Sequence, residues 1–231
     1  MQTGWATTCL IIVAMGFGGC SGPTDPQDPA TRALFTAVRQ GNLAAVKEQL
    51  GAGAQVNAQD RFERTPLRYA VPGDIEILRA LVEKGADVNA TSEASWTPLQ
   101  MAIVNGRAKA AELLIGKGAD MQVTDRRGAS LLHWAASRGH TEAARLLIDK
   151  GNRVNAQDND GWTPLHWAAS RNHRVVAELL LAKGAQDSVK NTQDKTPLQI
   201  AVDHDSTSVA QLLGAPGGSG GTGSSGENRS E

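Results

Sequence analysis

Residues 163–169 read T-P-L-H-W-A-A, and each part of this stretch favours a short helix. The hydroxyl of Thr163 can accept a hydrogen bond from the free backbone N–H groups of a first helical turn. Pro164 suits the first helical position, because its missing N–H would have no partner there. Leu165 and the alanines that follow give the segment an apolar face. The stretch therefore predicts a short apolar helix over about residues 165–170, with Pro164 at its first position.

The same helix start recurs along the chain at a nearly constant period. It is found at Thr65-Pro66-Leu67, Thr97-Pro98-Leu99, Ser130-Leu131-Leu132, Thr163-Pro164-Leu165 and Thr196-Pro197-Leu198. Successive starts are 32, 33, 33 and 33 residues apart. After a turn, a second helix is predicted over 175–182, where apolar residues in V-V-A-E-L-L-L-A recur at helical spacing.

A series of glycines keeps the same period and marks the predicted end of each second helix. It comprises Gly53, Gly85, Gly118, Gly151 and Gly184. Glycine readily takes the left-handed conformation that ends a helix. Polar turn-forming residues fill the stretch 154–162 and predict a projecting β-turn between units. Two landmarks at one period indicate a tandem repeat, whose units must stack because none can bury its apolar face alone.

A 33-residue period with the pattern T-P-L-H-x-A resembles the ankyrin repeat. The resemblance implies an all-α solenoid of about six stacked helix-turn-helix units with projecting β-turns. It also implies a non-catalytic module that binds a protein partner on its concave face. The histidine of the motif, His133 and His166 here, is implied to be structural, with its ring hydrogen-bonded to loop backbone. His140 and His173 recur in the turn after the first helix, and we expect them to be structural too.

The repeats divide the middle of the chain into six predicted units. Their approximate ranges are 31–58, 59–90, 91–123, 124–156, 157–190 and 191–213, with the first and last as caps. The second unit is one residue short, and Pro72 should end its first helix early. We therefore expect the second unit to form the weakest joint of the stack.

The two ends of the chain fall outside the repeats. A short apolar run at 10–17, followed by small residues, predicts a signal peptide over 1–19. The ending F-G-G-C resembles the lipobox of bacterial lipoproteins, which implies secretion across the inner membrane, lipid attachment at Cys20 and a periplasmic, outer-membrane-anchored protein. A plain signal peptide and an uncleaved leader are the alternatives. A proline-rich linker is predicted over 20–30, and a flexible Gly/Ser-rich tail over 214–231.

Composition excludes several classes of function. With 23 basic and 24 acidic residues in 231, the net charge of -1 gives no reason to expect nucleic-acid binding, or membrane contact other than through a lipid at Cys20. Both cysteines precede residue 21, so the repeats hold no disulfide or cysteine-ligated metal. No catalytic motif or phosphate loop stands outside the repeat pattern. We predict no catalytic residue, no cofactor and no metal; a ligand role for His204, between two aspartates, is a minor alternative.

The predicted binding surface consists of positions before each T-P-L and after each first helix, which the fold does not need. These positions are Arg39, Gln40, Arg61, Phe62, Arg64, Glu93, Ala94, Trp96, Val104, Asn105, Arg126, Arg127, Ala129, Ser137, Arg138, Asn159, Asp160, Trp162, Ser170 and Arg171. Seven are arginines, and Glu93 and Asp160 are the only acids in the set. Arginine and tryptophan are enriched at binding hot spots, so the set predicts a basic, aromatic groove for an acidic protein partner.

The four tryptophans of the repeats fall at two positions. Trp96 and Trp162 recur at a turn tip, where little core is available, and we expect them to be exposed for binding. Trp134 and Trp167 recur on the first helix, where half-buried packing is the more favoured interpretation. The chain is expected to be a monomer, and the sequence leaves its partner unidentified.

Three other functions stay open at this point. The module could be an inhibitor or immunity protein that sequesters a toxin or enzyme. It could be an enzyme subunit, for which His204 would be the first residue to test. It could also be a passive spacer of the cell envelope.

Overall fold

The computed structural model describes residues 28–91 and 96–214. These residues hold twelve α-helices and no β-strand; one isolated antiparallel bridge joins Thr124 and Ser130. The predicted signal peptide, Cys20, the linker up to residue 27 and the tail from residue 215 lie outside the described residues, as do Glu93 and Ala94. No helix among the described residues is long and apolar enough to cross a membrane.

The helices form six consecutive pairs, one for each predicted unit. They are α1 (Pro29–Arg39), α2 (Leu43–Gly51), α3 (Pro66–Ala70), α4 (Ile75–Glu83), α5 (Pro98–Val104), α6 (Ala108–Gly116), α7 (Leu131–Arg138), α8 (Thr141–Asp149), α9 (Pro164–Ser170), α10 (Arg174–Ala182), α11 (Pro197–Asp203) and α12 (Thr207–Gly214). Each first helix contacts the first helix of the next unit, and each second helix contacts the next second helix. The predicted all-α repeat solenoid is confirmed.

The threonine of each Thr-Pro start is the N-cap residue of its helix. In α5 the hydroxyl of Thr97 accepts from the backbone N–H of Gln100 at 3.2 Å, while Gln100 Oε1 accepts from the Thr97 N–H at 2.8 Å. Asp28 takes the same part in α1, where its Oδ2 accepts from the N–H of Thr31 at 2.9 Å. Because Asp28-Pro29 acts as Thr-Pro does elsewhere, α1 begins at Pro29, two residues inside the predicted linker.

The second unit departs from the others where the sequence is short. Helix α3 has five residues, whereas α5 has seven. The expectation that Pro72 ends it early is confirmed, since proline cannot donate to a continuing helix. In the fourth and fifth units, His140 and His173 bond to a carbonyl of the preceding unit. Arg107 has the same position in the third unit and donates to the carbonyl oxygen of Pro72 in the second unit.

One continuous core runs through all six units. Leucines at the start of the first helices, such as Leu99 and Leu165, are fully buried. The alanine pairs Ala135-Ala136 and Ala168-Ala169 are fully buried between successive first helices. Small side chains at these positions let neighbouring helices approach closely, which accounts for a core that contains few aromatic residues.

Candidate protein-binding face

The turns before the T-P-L motifs and the ends of the first helices line the same surface cavities, and together they form what we call the tip face. Each described tip is closed by one Asp or Asn whose Oδ1 accepts two backbone N–H bonds of 2.8–3.0 Å, from residues two and four positions later. The closing residues are Asp60, Asp125, Asp158 and Asn191. These side chains fix the tips, so the face is presented on a rigid frame.

His133 and His166 bind successive units together. Nδ1 of His133 accepts from the Ser130 N–H at 3.1 Å, and its Nε2 lies 2.9 Å from the carbonyl oxygen of Trp162. His166 repeats the arrangement with the N–H of Thr163 and the carbonyl of Lys195. Since a carbonyl can only accept, Nε2 carries the proton in both rings. Burial lowers the pKa of both imidazoles below the ordinary 6.5, so the neutral form is favoured.

The other two repeat histidines are also used by the fold. Nε2 of His140 bonds to the carbonyl of Val104 at 3.0 Å, and Nε2 of His173 bonds to the carbonyl of Ser137 at 3.0 Å. The structural interpretation of all four repeat histidines is therefore confirmed. His204 is exposed on the tip face, and among the described residues it belongs to no group that could hold a metal ion.

Three tryptophans form a continuous stack across units three to five. The rings of Trp96 and Trp134 are 5.3 Å apart and those of Trp134 and Trp167 are 5.4 Å apart, both edge to face. Trp162 packs against His166 at 5.9 Å. The expectation that Trp96 and Trp162 would be exposed is therefore wrong, since both are half-buried. Both rings are partly buried by a first helix, Trp96 by that of the next unit and Trp162 by that of its own unit.

Arginines of the first and second units surround a carboxylate that the sequence argument left out. Arg64 forms an ion pair with Asp60 at 3.0 Å, and Arg39 donates to the hydroxyl of Tyr69 at 3.0 Å. The hydroxyl of Tyr69 in turn donates to Asp60 Oδ2 at 2.6 Å. Burial alone would raise the pKa of Asp60, but hydrogen bonds from Tyr69, Arg64 and Phe62 outweigh it and lower the pKa from 3.8 to about 2. The predicted set contained only two acids, Glu93 and Asp160, but the tips also hold Asp60, Asp125 and Asp158.

Residues of units four and five also hold each other. Arg127 forms a 3.0 Å ion pair with Asp160, and the backbone N–H of Asn159 donates to the carbonyl of Arg127 at 2.9 Å. Both side chains of the ion pair are more than half exposed. An exposed pair of this kind contributes little stability, so a partner's carboxylate can exchange with Asp160 at low cost.

Nine of the twenty predicted positions line two clefts, and Trp96, Asn159 and Asp160 line neither. The first, of about 530 Å³, is lined by Arg39, Asp60, Arg61, Phe62, Arg64 and Tyr69. The second, of about 290 Å³, is lined by Arg127, Ser137, Trp162, Trp167, Ser170, Arg171 and His204. Arg126 and Arg138 are adjacent in sequence to Arg127 and Ser137, which line the second cleft. Both are exposed and form no ion pair among the described residues. Asn105 belongs to neither cleft; its amide donates to the Met101 carbonyl at 2.8 Å.

Asp60 and Tyr69 were missed, although the repeat register contains a signal for both. Asp60 stands five positions before its Thr, as Asp125 and Asp158 stand before Ser130 and Thr163. Tyr69 stands four positions after its Thr, at the position of Trp134 and Trp167. Aligning the units position by position would have placed both residues on the tip face.

Comparison with known protein families agrees with this architecture. A family model described as ankyrin repeats matches the chain in three copies, over residues 34–125, 112–191 and 132–219. Together these segments cover most of the chain. No curated protein matches it.

Proposed function

The chain belongs to the ankyrin-repeat family, and on that premise we propose that its tip face binds an acidic protein partner without catalysing a reaction. Proteins built from these repeats are in general interaction modules. The observation that carries the proposal is the pair of arginine-lined clefts with aromatic walls on this one face. Arginine with tryptophan or tyrosine is the combination that dominates protein-binding hot spots.

Charge on the tip face favours an acidic partner. Arg126, Arg138 and Arg171 are exposed and make no ion pair among the described residues. The chain as a whole carries a net charge of -1, so the basic character belongs to this face and not to the protein in general. Such a local field accelerates encounter with an oppositely charged surface and is weakened by salt.

An affinity-capture experiment with two charge-reversed baits tests the proposal. Arg138→Glu/Arg171→Glu changes the tip face, while Arg145→Glu/Arg153→Glu makes the same change at exposed sites on α8 and the turn after it. Envelope extract is passed over each bait and the wild type, and bound proteins are identified by mass spectrometry. We expect an acidic protein captured by the wild type and the α8 bait, and lost from the tip-face bait. Equal capture by all three folded baits would contradict the proposal.

The second part of the proposal is a location in the bacterial envelope, attached through a lipid on Cys20. It is supported by the resemblance of Phe17-Gly18-Gly19-Cys20 to a lipobox. Several acyl chains on one cysteine would give stable membrane anchoring. Labelled fatty acid should be incorporated into the wild type and not into Cys20→Ala. Labelling of neither protein would contradict the lipid attachment and leave a soluble periplasmic or exported protein.

An enzyme subunit is the less supported alternative. Four of the five histidines use a ring nitrogen to bond a backbone carbonyl of a neighbouring unit. His204 is the histidine that faces a cleft on the tip face, beside Arg127 and Arg171. A position beside two arginines suits the binding of an anion.

A further inference from the structure

Four arginines of units one and two lie together at one end of the tip face. Arg39, Arg61 and Arg64 line the first cleft, and Arg68 follows on α3. We call these four residues the arginine cluster. Like charges gathered in this way repel each other unless anions compensate them.

The available carboxylate does not compensate the cluster. Oδ1 of Asp60 already accepts two backbone N–H bonds, and its Oδ2 accepts from the Tyr69 hydroxyl and from Arg64. Arg39 stays 3.8 Å from this oxygen. Glu63, at the same tip, is exposed and forms no ion pair with any described residue. Each guanidinium has five N–H donors, and few donors of the cluster have an acceptor among residues 28–91 and 96–214.

Arg68 adds a fourth positive charge to the cluster. It stands at the motif position of His133 and His166, and its NH1 is buried without a hydrogen-bond partner in the part of the chain that the structure describes. Burial, followed by the charge of Arg64, lowers the pKa of Arg68. A bound anion close by would offset the repulsion between the charges of Arg64 and Arg68.

Aromatic rings hold the other guanidiniums in place before any ligand arrives. Arg61 and Arg64 lie over the Phe62 ring at 4.6 Å and 4.3 Å, and Arg39 lies over the Tyr69 ring at 4.5 Å. Stacking of this kind restricts a side chain that would otherwise lose much entropy on binding. The donors therefore border the first cleft in a prepared arrangement.

We propose that the arginine cluster binds the carboxylates of an acidic segment in the protein partner; this inference rests on the proposed function. Guanidinium forks match carboxylate oxygens in bidentate pairs. Carboxylates are favoured over a single phosphate because arginines recur across the face, from Arg61 to Arg138 and Arg171. A segment with several acidic side chains can occupy both clefts, whereas one phosphate group fills only one.

The test uses the full chain and three probes: hexaglutamate, hexaglutamine and inorganic phosphate. The Nε–Hε signals of the arginines are followed by NMR during titration. We expect hexaglutamate to shift the signals of Arg39, Arg61 and Arg64 in a saturable manner, and hexaglutamine to shift none. Arg61→Gln, which removes a guanidinium that lies over the Phe62 ring, should weaken binding by at least about threefold. Arg153→Gln removes the same charge from an exposed turn and should leave the affinity unchanged.

Several results would overturn the inference. Hexaglutamate could give no saturable shift, or shift every exposed arginine including Arg153 equally, as expected for unspecific screening. Phosphate could bind the cluster when hexaglutamate does not, which would assign different chemistry to it. Shifts confined to Arg127 and Arg171 would defeat this inference and leave the proposed function standing. Unchanged capture by Arg138→Glu/Arg171→Glu would instead defeat the proposed function by itself.

Discussion

The indole Nε1 of Trp167 donates a 2.9 Å hydrogen bond to Oδ2 of Asp158. The other carboxylate oxygen of Asp158 accepts the backbone N–H groups of Asp160 and Trp162. One buried side chain thus closes a tip and fixes that tip to helix α9, which carries the wall of the second cleft. The tip face is therefore bonded to the helices of the repeat core.

Two substitutions of Asp158 should separate the stability that comes from the tip hydrogen bonds from the stability that comes from the indole hydrogen bond. Asp158→Ala leaves the indole and two backbone N–H groups without an acceptor, and we expect a loss of about 1–3 kcal/mol in the free energy of unfolding. Asp158→Asn keeps an oxygen for the backbone, as Asn191 does in the last unit, so its loss should be smaller. Urea unfolding followed by circular dichroism measures both. Equal losses would show that the tip bonds contribute nothing.

Stability should fall in mildly acidic solution because of His133 and His166. Burial lowers the pKa of both rings in the folded chain below 6.5. The unfolded chain therefore binds more protons, and the stabilisation is complete above pH 6.5 and lost as the pH falls from 6.5 towards the folded values. Urea unfolding at a series of pH values should show this decline before carboxylates such as Asp60 begin to titrate.

A matched variant isolates the histidines in that experiment. Gln100 and Gln199 occupy the same motif position in units three and six, where their Oε1 atoms accept the cap N–H at 2.8 Å and 2.9 Å. His133→Gln/His166→Gln keeps this cap bond and removes the titrating rings. The variant should show a flatter stability between pH 6.5 and 5. An undiminished decline in the variant would place the titrating groups elsewhere.

Asn152→Ala should stabilise the chain. Asn152 is buried, its Nδ2 has no partner among the described residues, and the other units have alanine at this position. Removal of the unpaired amide should raise the free energy of unfolding by about 1 kcal/mol. Asn155→Ala is the opposite case, because Asn155 bonds to the Gly184 carbonyl and the Gln186 N–H across units and its loss should destabilise. Destabilisation by both changes would contradict this prediction.

Gly139→Ala should destabilise more than Gly118→Ala. Both glycines have positive φ, 70° and 87°, so alanine strains the backbone at each. A Cβ on Gly139 would also lie 2.6 Å from Nδ1 of His173, whereas nothing lies within 4 Å of a Cβ on Gly118. The difference in melting temperature reports the displaced His173 ring and its bond to the carbonyl of Ser137 in the preceding unit. Equal shifts would mean that this ring contributes no stability.

Much of the fold could be predicted from the sequence because its signals are local. Thr97 and Pro98 start a helix wherever they stand, and Pro72 ends one for the same kind of reason. Repetition then fixes the stacking, since each unit has the same apolar face to bury. The departures were also local, as at Asp28-Pro29, where aspartate caps in place of threonine.

The tip face could be predicted only in outline, because its properties depend on contacts across units. The register places Arg64 and Trp96 on this face, but it does not show that Arg64 is paired with Asp60 or that Trp96 stacks on Trp134. Arg64 meets Asp60 within one tip, whereas Trp96 meets the helix of the next unit, and both contacts depend on how the folded chain places the side chains. Counting charged and aromatic residues along the sequence therefore overestimated how many side chains of the tip face are available to a partner.

The rate at which the captured partner associates with the full chain tests whether the tip face is the binding surface. Surface plasmon resonance at about 50 and about 500 mM salt spans strong and weak screening of exposed charges. We predict that association with the wild type slows steeply at the higher salt, and that Arg145→Glu/Arg153→Glu behaves alike. Arg138→Glu/Arg171→Glu should associate slowly at low salt and respond little to added salt. An association rate that is the same for all three proteins at both salt concentrations would contradict the assignment.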